Sequence, residues 1–242
     1  MSSLDSFLFI IFPYLAVGIF LLGSIWRYKQ TGFKYSSLSA QFLEGRKGFW
    51  GTVPFHWGLI VIFLLHLTVF LFPQLTLGWS SSPIRLIATE IVAFTFGLSA
   101  LVGLVALFIR RISDARVKMV TNNMDLAIEV LLLAQIILGC WIAVGYRWGY
   151  SWFAADLSPY LWSIVKFSPD ATAVVAMPIV IKLHIAGAFL VILMIPFTRL
   201  VHFLVAPFHY IWRPYQQVIW HWNKKTIRDK KTPWSEKRPF NN

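Results

Sequence analysis

Five long stretches of the chain carry almost no charge, and each is about one membrane thickness long. They run over residues 7–26, 54–72, 86–109, 124–144 and 178–206. A helix needs roughly 20 predominantly apolar residues to cross a bilayer, so the pattern predicts five transmembrane helices. Pro13 falls inside the first and predicts a kink; Pro54 suits the first turn of the second, and Pro73 ends it. The polar stretches between them are loops. The longest, 145–177, is rich in Trp and Tyr, as expected at a membrane interface. Residues 1–206 read as one transmembrane domain and residues 207–242 as a basic, aromatic tail. No internal repeat is evident.

Composition agrees with that reading. Of 242 residues, 57% are hydrophobic, 17% aromatic and only 13% charged, which excludes an ordinary soluble domain. The fold class is all-α, a polytopic membrane protein. The net charge of +12 is concentrated in loops and tail, which suits topology signals and anionic lipid, not nucleic acid. The loop between spans one and two holds five Lys or Arg residues, the loop between three and four holds four, and the tail eight; the other two loops hold one and two. The positive-inside rule therefore predicts an outer amino terminus and a cytoplasmic carboxyl terminus. Cys140 is single and sits in an apolar run, so it forms no internal disulfide and reads as a packing residue.

Chemistry enters with four histidines. The fifth stretch reads PIVIKLHIAGAFLVILMIPFTRLVHFLVAPFHYIWRPY and contains His184 and His202; the second contains His56 and His66. Histidine is costly in hydrocarbon and marks a candidate functional site. Spans two and five run in opposite directions. If they are neighbours, His56 meets His202 near the cytoplasmic face and His66 meets His184 nearer the outer face. Imidazole is a common axial ligand of haem iron, and facing helices of a bundle build such sites. On ideal helices the registers differ. Ten residues rise ~15 Å and turn the ring roughly 80°, whereas eighteen rise ~27 Å with no net turn, so tilt and a kink at Pro196 must absorb the mismatch. A zinc site would need a third and fourth ligand, and none is evident at either depth. A structural role for a single ring is the bland reading. His209 and His221 read as interfacial or surface.

The segments FPYLAVGIFLLGSIWRY, FHWGLIVIFLLH and KLHIAGAFLVILMIPFTRLVHFLVAPFHYIWRPYQ are similar to the gamma subunit of respiratory nitrate reductase, over residues 7–217. Asp125 and Gln135 in span four also stand at that family's separation. The resemblance implies a five-span dihaem cytochrome b in a bacterial or archaeal cytoplasmic (inner) membrane. It implies two haem b groups, one held by His66 and His184, the other by His56 and His202. Quinol would be oxidised to quinone near the outer face. Electrons would pass through both haems to a cytoplasmic iron–sulfur beta subunit and a molybdenum-containing alpha subunit, where nitrate is reduced.

One departure concerns the quinol site. A lysine expected after the second loop is missing, and PIRLIATE offers Arg85 as a donor and Glu90 as a proton acceptor instead. Arg199, Arg110 and Arg111 are candidate partners for haem propionates, since guanidinium binds carboxylates as a fork; topology and lipid anchoring are the simpler readings. The aromatic tail, with Tyr210, Trp212, Tyr215 and Trp220, is a candidate docking surface for the cytoplasmic subunit. Other readings are a related dihaem subunit of another quinone-linked complex, including a sulfite-reductase-linked or nitrite-oxidising one, and a histidine-based transporter. The transporter would require broken spans or repeats.

Overall fold

The computed structural model describes residues 2–31 and 45–205, and among these every regular element is helical. The tail at 207–242, with its aromatic residues, His209 and His221, lies outside the described residues, as does most of the first loop. Among the described residues five helices are long and apolar enough to cross a membrane: Ser3–Gln30, Phe49–Leu71, Pro83–Ser113, Asn123–Gly145 and Ile179–Phe197. They are taken below as spans one to five. Large apolar side chains such as Leu22, Phe63, Val102 and Val144 stand exposed on them. In water such a surface would aggregate; in a bilayer it faces lipid.

Spans two and three pack backbone to backbone as an antiparallel pair. A Cβ on Gly58 would lie 2.6 Å from both Ala100 N and Phe96 O, and one on Gly103 would lie 2.7 Å from Gly51 O. Small residues allow this approach, which supplies helix association where lipid removes the hydrophobic drive. Ser99 Oγ adds a hydrogen bond to Pro54 O at 3.1 Å. Phe55, Ala100 and Leu104 continue this contact into Ile128, Leu132 and Ile136 of span four. A second apolar cluster joins span one (Phe9, Ala16) to span five (Ile181, Ile185, Phe189) through Tyr160, Ile164 and Val174.

Those last residues belong to the aromatic loop, which is a folded element. It forms short helices Gly149–Trp152, Ser158–Val165 and Thr172–Ala176. It also repairs helices that proline has damaged. Pro13 cannot donate to Phe9 O, so the chain makes a π turn over Phe7–Ile11 and Phe9 O accepts the Tyr160 hydroxyl at 3.0 Å. Pro73 likewise leaves Val69 O without its helical donor, and Ser158 Oγ supplies one at 3.0 Å. Trp162 Nε1 donates to Phe70 O at 2.8 Å. Tyr160 is 2% exposed, so it is a core donor and not an interfacial ring. Burial pushes its phenol far above the usual range, and it stays protonated as a donor.

The packing predicts opposite fates for two glycines. A Cβ on Gly18 would meet nothing within 4 Å, so Gly18→Leu leaves the thermal midpoint in detergent unchanged. Gly103→Leu forces spans two and three apart and prevents recovery of monodisperse protein; a folded Gly103→Leu protein of ordinary stability would contradict the backbone contact.

Candidate functional site

The second span holds His56 and His66 by the same local device. His56 Nδ1 lies 2.8 Å from Thr52 O, and His66 Nδ1 lies 2.8 Å from Ile62 O, each four residues earlier. A carbonyl only accepts, so Nδ1 carries the proton and Nε2 keeps its lone pair for another partner. His202 repeats the arrangement with Arg199 O at 2.6 Å. His184 differs. It lies against span four, where a Cβ on Gly139 would be 3.3 Å from its Cε1. Its buried Nδ1 makes no hydrogen bond of ordinary geometry, although the ring faces the backbone of Gln135.

The four rings gather in two sets. The His56 and His202 ring centres are 6.4 Å apart with planes inclined at 61°. His184 and His66 are within electrostatic range of each other, and the His66 ring meets the Phe153 edge at 5.5 Å. The first set depends on a break that the apolar pattern does not reveal. Residues 178–206 are not one helix. The α-helix is Ile179–Met194; a tight turn Ile195–Phe197 follows, Thr198 is extended, and Arg199–Val205 is 3-10. Pro196 cannot donate within a helix and sets the break. Arg27 of span one then binds the loose carbonyls of Pro196 and Thr198, the latter at 2.9 Å. The uniform ~27 Å separation of His184 and His202 on one helix face is thereby removed.

A buried ion cluster lies at the His56 and His202 end. Asp125 is 2% exposed; its Oδ1 accepts Arg199 Nε at 2.8 Å, and its Oδ2 lies 3.6 Å from Arg111 Nη1. Arg111 Nε donates to Glu129 Oε1 at 2.7 Å. Arg199 also donates to Val120 O. Asp125 and Glu129 sit four residues apart on one face of span four, the spacing that makes them neighbours. Sequence reasoning did not join them to the arginines, because the partners lie on span three and beyond Pro196. Arg110 stands at the same end, half-buried at the close of span three.

At the opposite end Arg85 and Glu90 diverge. Arg85 lines a cavity of about 640 Å³ with Leu65, Thr68, Gln74, Trp79 and Tyr150. Its Nε donates to Trp79 O at 3.0 Å, and its guanidinium lies 5.2 Å over the Trp79 ring. The Glu90 carboxylate instead faces the backbone N–H groups of Trp148, Gly149 and Tyr150 and the charge of Arg147. It is one residue from the cavity wall at Thr89 but does not line the cavity itself.

The donor set can be tested against metals. Among the described residues no three or more His, Cys, Asp or Glu side chains gather, so a tetrahedral zinc centre has no ligand set. Haem needs only two protein ligands because the macrocycle supplies the rest. With metal–imidazole bonds of roughly 2 Å, two opposed rings place their centres about 6 Å apart. The 6.4 Å spacing of His56 and His202 fits that requirement.

Comparison with known proteins gives the chain its family. The family model described as nitrate reductase gamma subunit matches residues 5–221. The nitrate reductase gamma chain of Bacillus subtilis (strain 168) is 31% identical over 211 residues, covering 85% of this chain and 93% of the relative. The respiratory nitrate reductase 2 gamma chain of Escherichia coli (strain K12) is 31% identical over 221 residues, covering 89% and 96%. Its respiratory nitrate reductase 1 counterpart is 29% identical over 223 residues, covering 90% and 98%. The chain belongs to the nitrate reductase gamma subunit family, the membrane subunits of nitrate reductase complexes.

Proposed function

We propose that this subunit is the electron inlet of its complex: it oxidises quinol and passes electrons through two b haems to a cytoplasmic partner. The observation that supports this most directly is the facing pair His56 and His202, 6.4 Å between ring centres, each with Nδ1 tied to a carbonyl. A ring so tied is fixed in tautomer and orientation and presents Nε2 as a stronger ligand. His66 and His184 hold the second haem. Haem iron bound there supplies one-electron transfer, which the apolar spans themselves lack. Arg110, Arg111 and Arg199 place positive charge at the His56 and His202 end, where it favours haem propionates.

The cavity beside Leu65 is the quinol site in this reading, since it adjoins His66 along span two. It is largely apolar, and Arg85 is its cationic donor; that combination suits a prenylated ring with two oxygens. Arg85 orients the ring by donating to an oxygen. Glu90, one residue behind the wall, takes a proton toward the loop at 147–150. By the positive-inside rule this end faces out of the cytoplasm. The partners are an iron–sulfur beta subunit and a molybdenum-containing alpha subunit, with anionic lipid around the basic loops.

Two measurements check the reading. The full chain purified in mild detergent binds about two b haems by pyridine haemochrome, and about one in His56→Ala or His66→Ala. Folded protein made with ample haem and holding none would overturn it. Arg85→Ala keeps the haem spectrum and raises the KM for a short-chain quinol roughly 10- to 100-fold, the loss of one charge-assisted hydrogen bond. An unchanged KM would remove Arg85 from the site.

A further inference from the structure

The segment that carries His202 has little secondary structure of its own to hold it. Beyond Met194 the α-helix ends, Thr198 is extended, and Arg199–Val205 runs as a 3-10 helix. Such helices have poorer hydrogen bonds and rarely persist beyond three or four residues. The His202 ring nevertheless has a defined direction, because Nδ1 donates to Arg199 O at 2.6 Å. The placement of Arg199 therefore decides where that ring points.

Arg199 is held from outside its own segment. Its Nε donates to Asp125 Oδ1 at 2.8 Å, and its Nη2 to Val120 O. Asp125 is itself fixed. Its Oδ2 accepts Asn122 N at 3.0 Å, its own N–H donates to Asn122 Oδ1 at 2.8 Å, and Arg111 Nη1 stands 3.6 Å away. This reciprocal cap locks the first turn of span four. Asp125 lies in the first turn of span four and Val120 in the turn that leads into it, so these two anchors of the guanidinium stand outside the segment being held.

We propose that Asp125 is a positioning residue for His202, acting through the Arg199 side chain and the Arg199 carbonyl. Span four thereby aims an imidazole that it does not carry. The inference rests on the haem reading above only for its consequence: the iron held by His56 and His202 has its ligand geometry, and hence its potential, set by a carboxylate that does not touch it. Axial-ligand orientation and hydrogen bonding are among the levers a protein has on a haem. Arg111 still reaches both Asp125 and Glu129 when Arg199 is removed, but one cation then serves two carboxylates, so Arg199→Lys, which keeps the charge, separates loss of the clamp from loss of charge.

The test uses the full chain isolated in its complex in mild detergent, comparing unmodified protein with Arg199→Gln, Asp125→Asn and Arg199→Lys. Two readouts are taken. Amide hydrogen exchange reports the segment directly. Exchange over residues 197–204 rises roughly 10- to 100-fold in Arg199→Gln and Asp125→Asn, the factor for losing one charge-assisted hydrogen bond, while span two is unchanged. A redox titration with low-temperature paramagnetic resonance reports the ring. One haem shifts in midpoint potential and in its low-spin signal, and the haem of His66 and His184 does not. Arg199→Lys keeps a cation for Asp125 but cannot also reach Val120 O, so its shifts are smaller; it decides the matter if Arg199→Gln does not assemble. Unchanged exchange, or equal shifts of both haems, overturns the proposal. Protein without haem would overturn the haem reading, and the exchange readout would still judge the clamp.

Discussion

An imidazole has two nitrogens, and hydrocarbon offers a partner to neither. That constraint organises the bundle. In three of the four rings Nδ1 is satisfied by a nearby carbonyl of the same segment: Thr52, Ile62 or Arg199. Each such bond also selects the tautomer that leaves Nε2 as a lone pair. The remaining nitrogen is left for a partner from another element, and His56 and His202 bring their ring centres to 6.4 Å. His184 is the exception; span four comes so close at Gly139 that the ring is held by packing.

Meeting that demand at both ends requires spans that are not straight. A bundle of ideal helices would present His56 and His66 about 80° apart while leaving His184 and His202 in line. The break at Pro196 takes His202 off the helix that carries His184, and it creates loose carbonyls of its own. The same difficulty arises at Pro13 and Pro73. In each case a donor comes from far along the chain: Arg27 for Pro196 and Thr198, Tyr160 for Phe9, Ser158 for Val69. The proline breaks are therefore tolerable only because the first span and the 145–177 loop are packed against them. The loop is part of the scaffold that shapes the site.

Much of this was legible in the sequence. Continuous, charge-poor apolar stretches of about 20 residues are the length of a membrane helix and twice that of a barrel strand, so the five spans follow from composition and length alone. Histidines in such stretches stand out for the same reason. What sequence could not reveal depends on separation along the chain. Asp125 and Arg199 are 74 residues apart, and nothing local marks them as partners. The three-residue step from Arg199 to His202 is plain in the chain, whereas the ion pair of Arg199 with Asp125 shows only in the fold. The Trp and Tyr content of the 145–177 loop suits a membrane interface, yet the Tyr160 hydroxyl within it is buried on Phe9 O. Arg85 and Glu90 are close in sequence, and which neighbours five residues of helix turn them toward, the cavity at Trp79 and the loop at 148–150, is visible only in the fold.

The central claim is that four imidazoles act as two opposed pairs. Low-temperature electron paramagnetic resonance of the oxidised, unmodified chain in its complex tests it most directly. Opposed imidazoles make ferric haem low-spin, so the account predicts a pair of low-spin signals and no high-spin signal in protein with full haem content. A high-spin signal accounting for either haem would mean an iron with a missing imidazole, and would contradict the pairing of His56 with His202 or of His66 with His184.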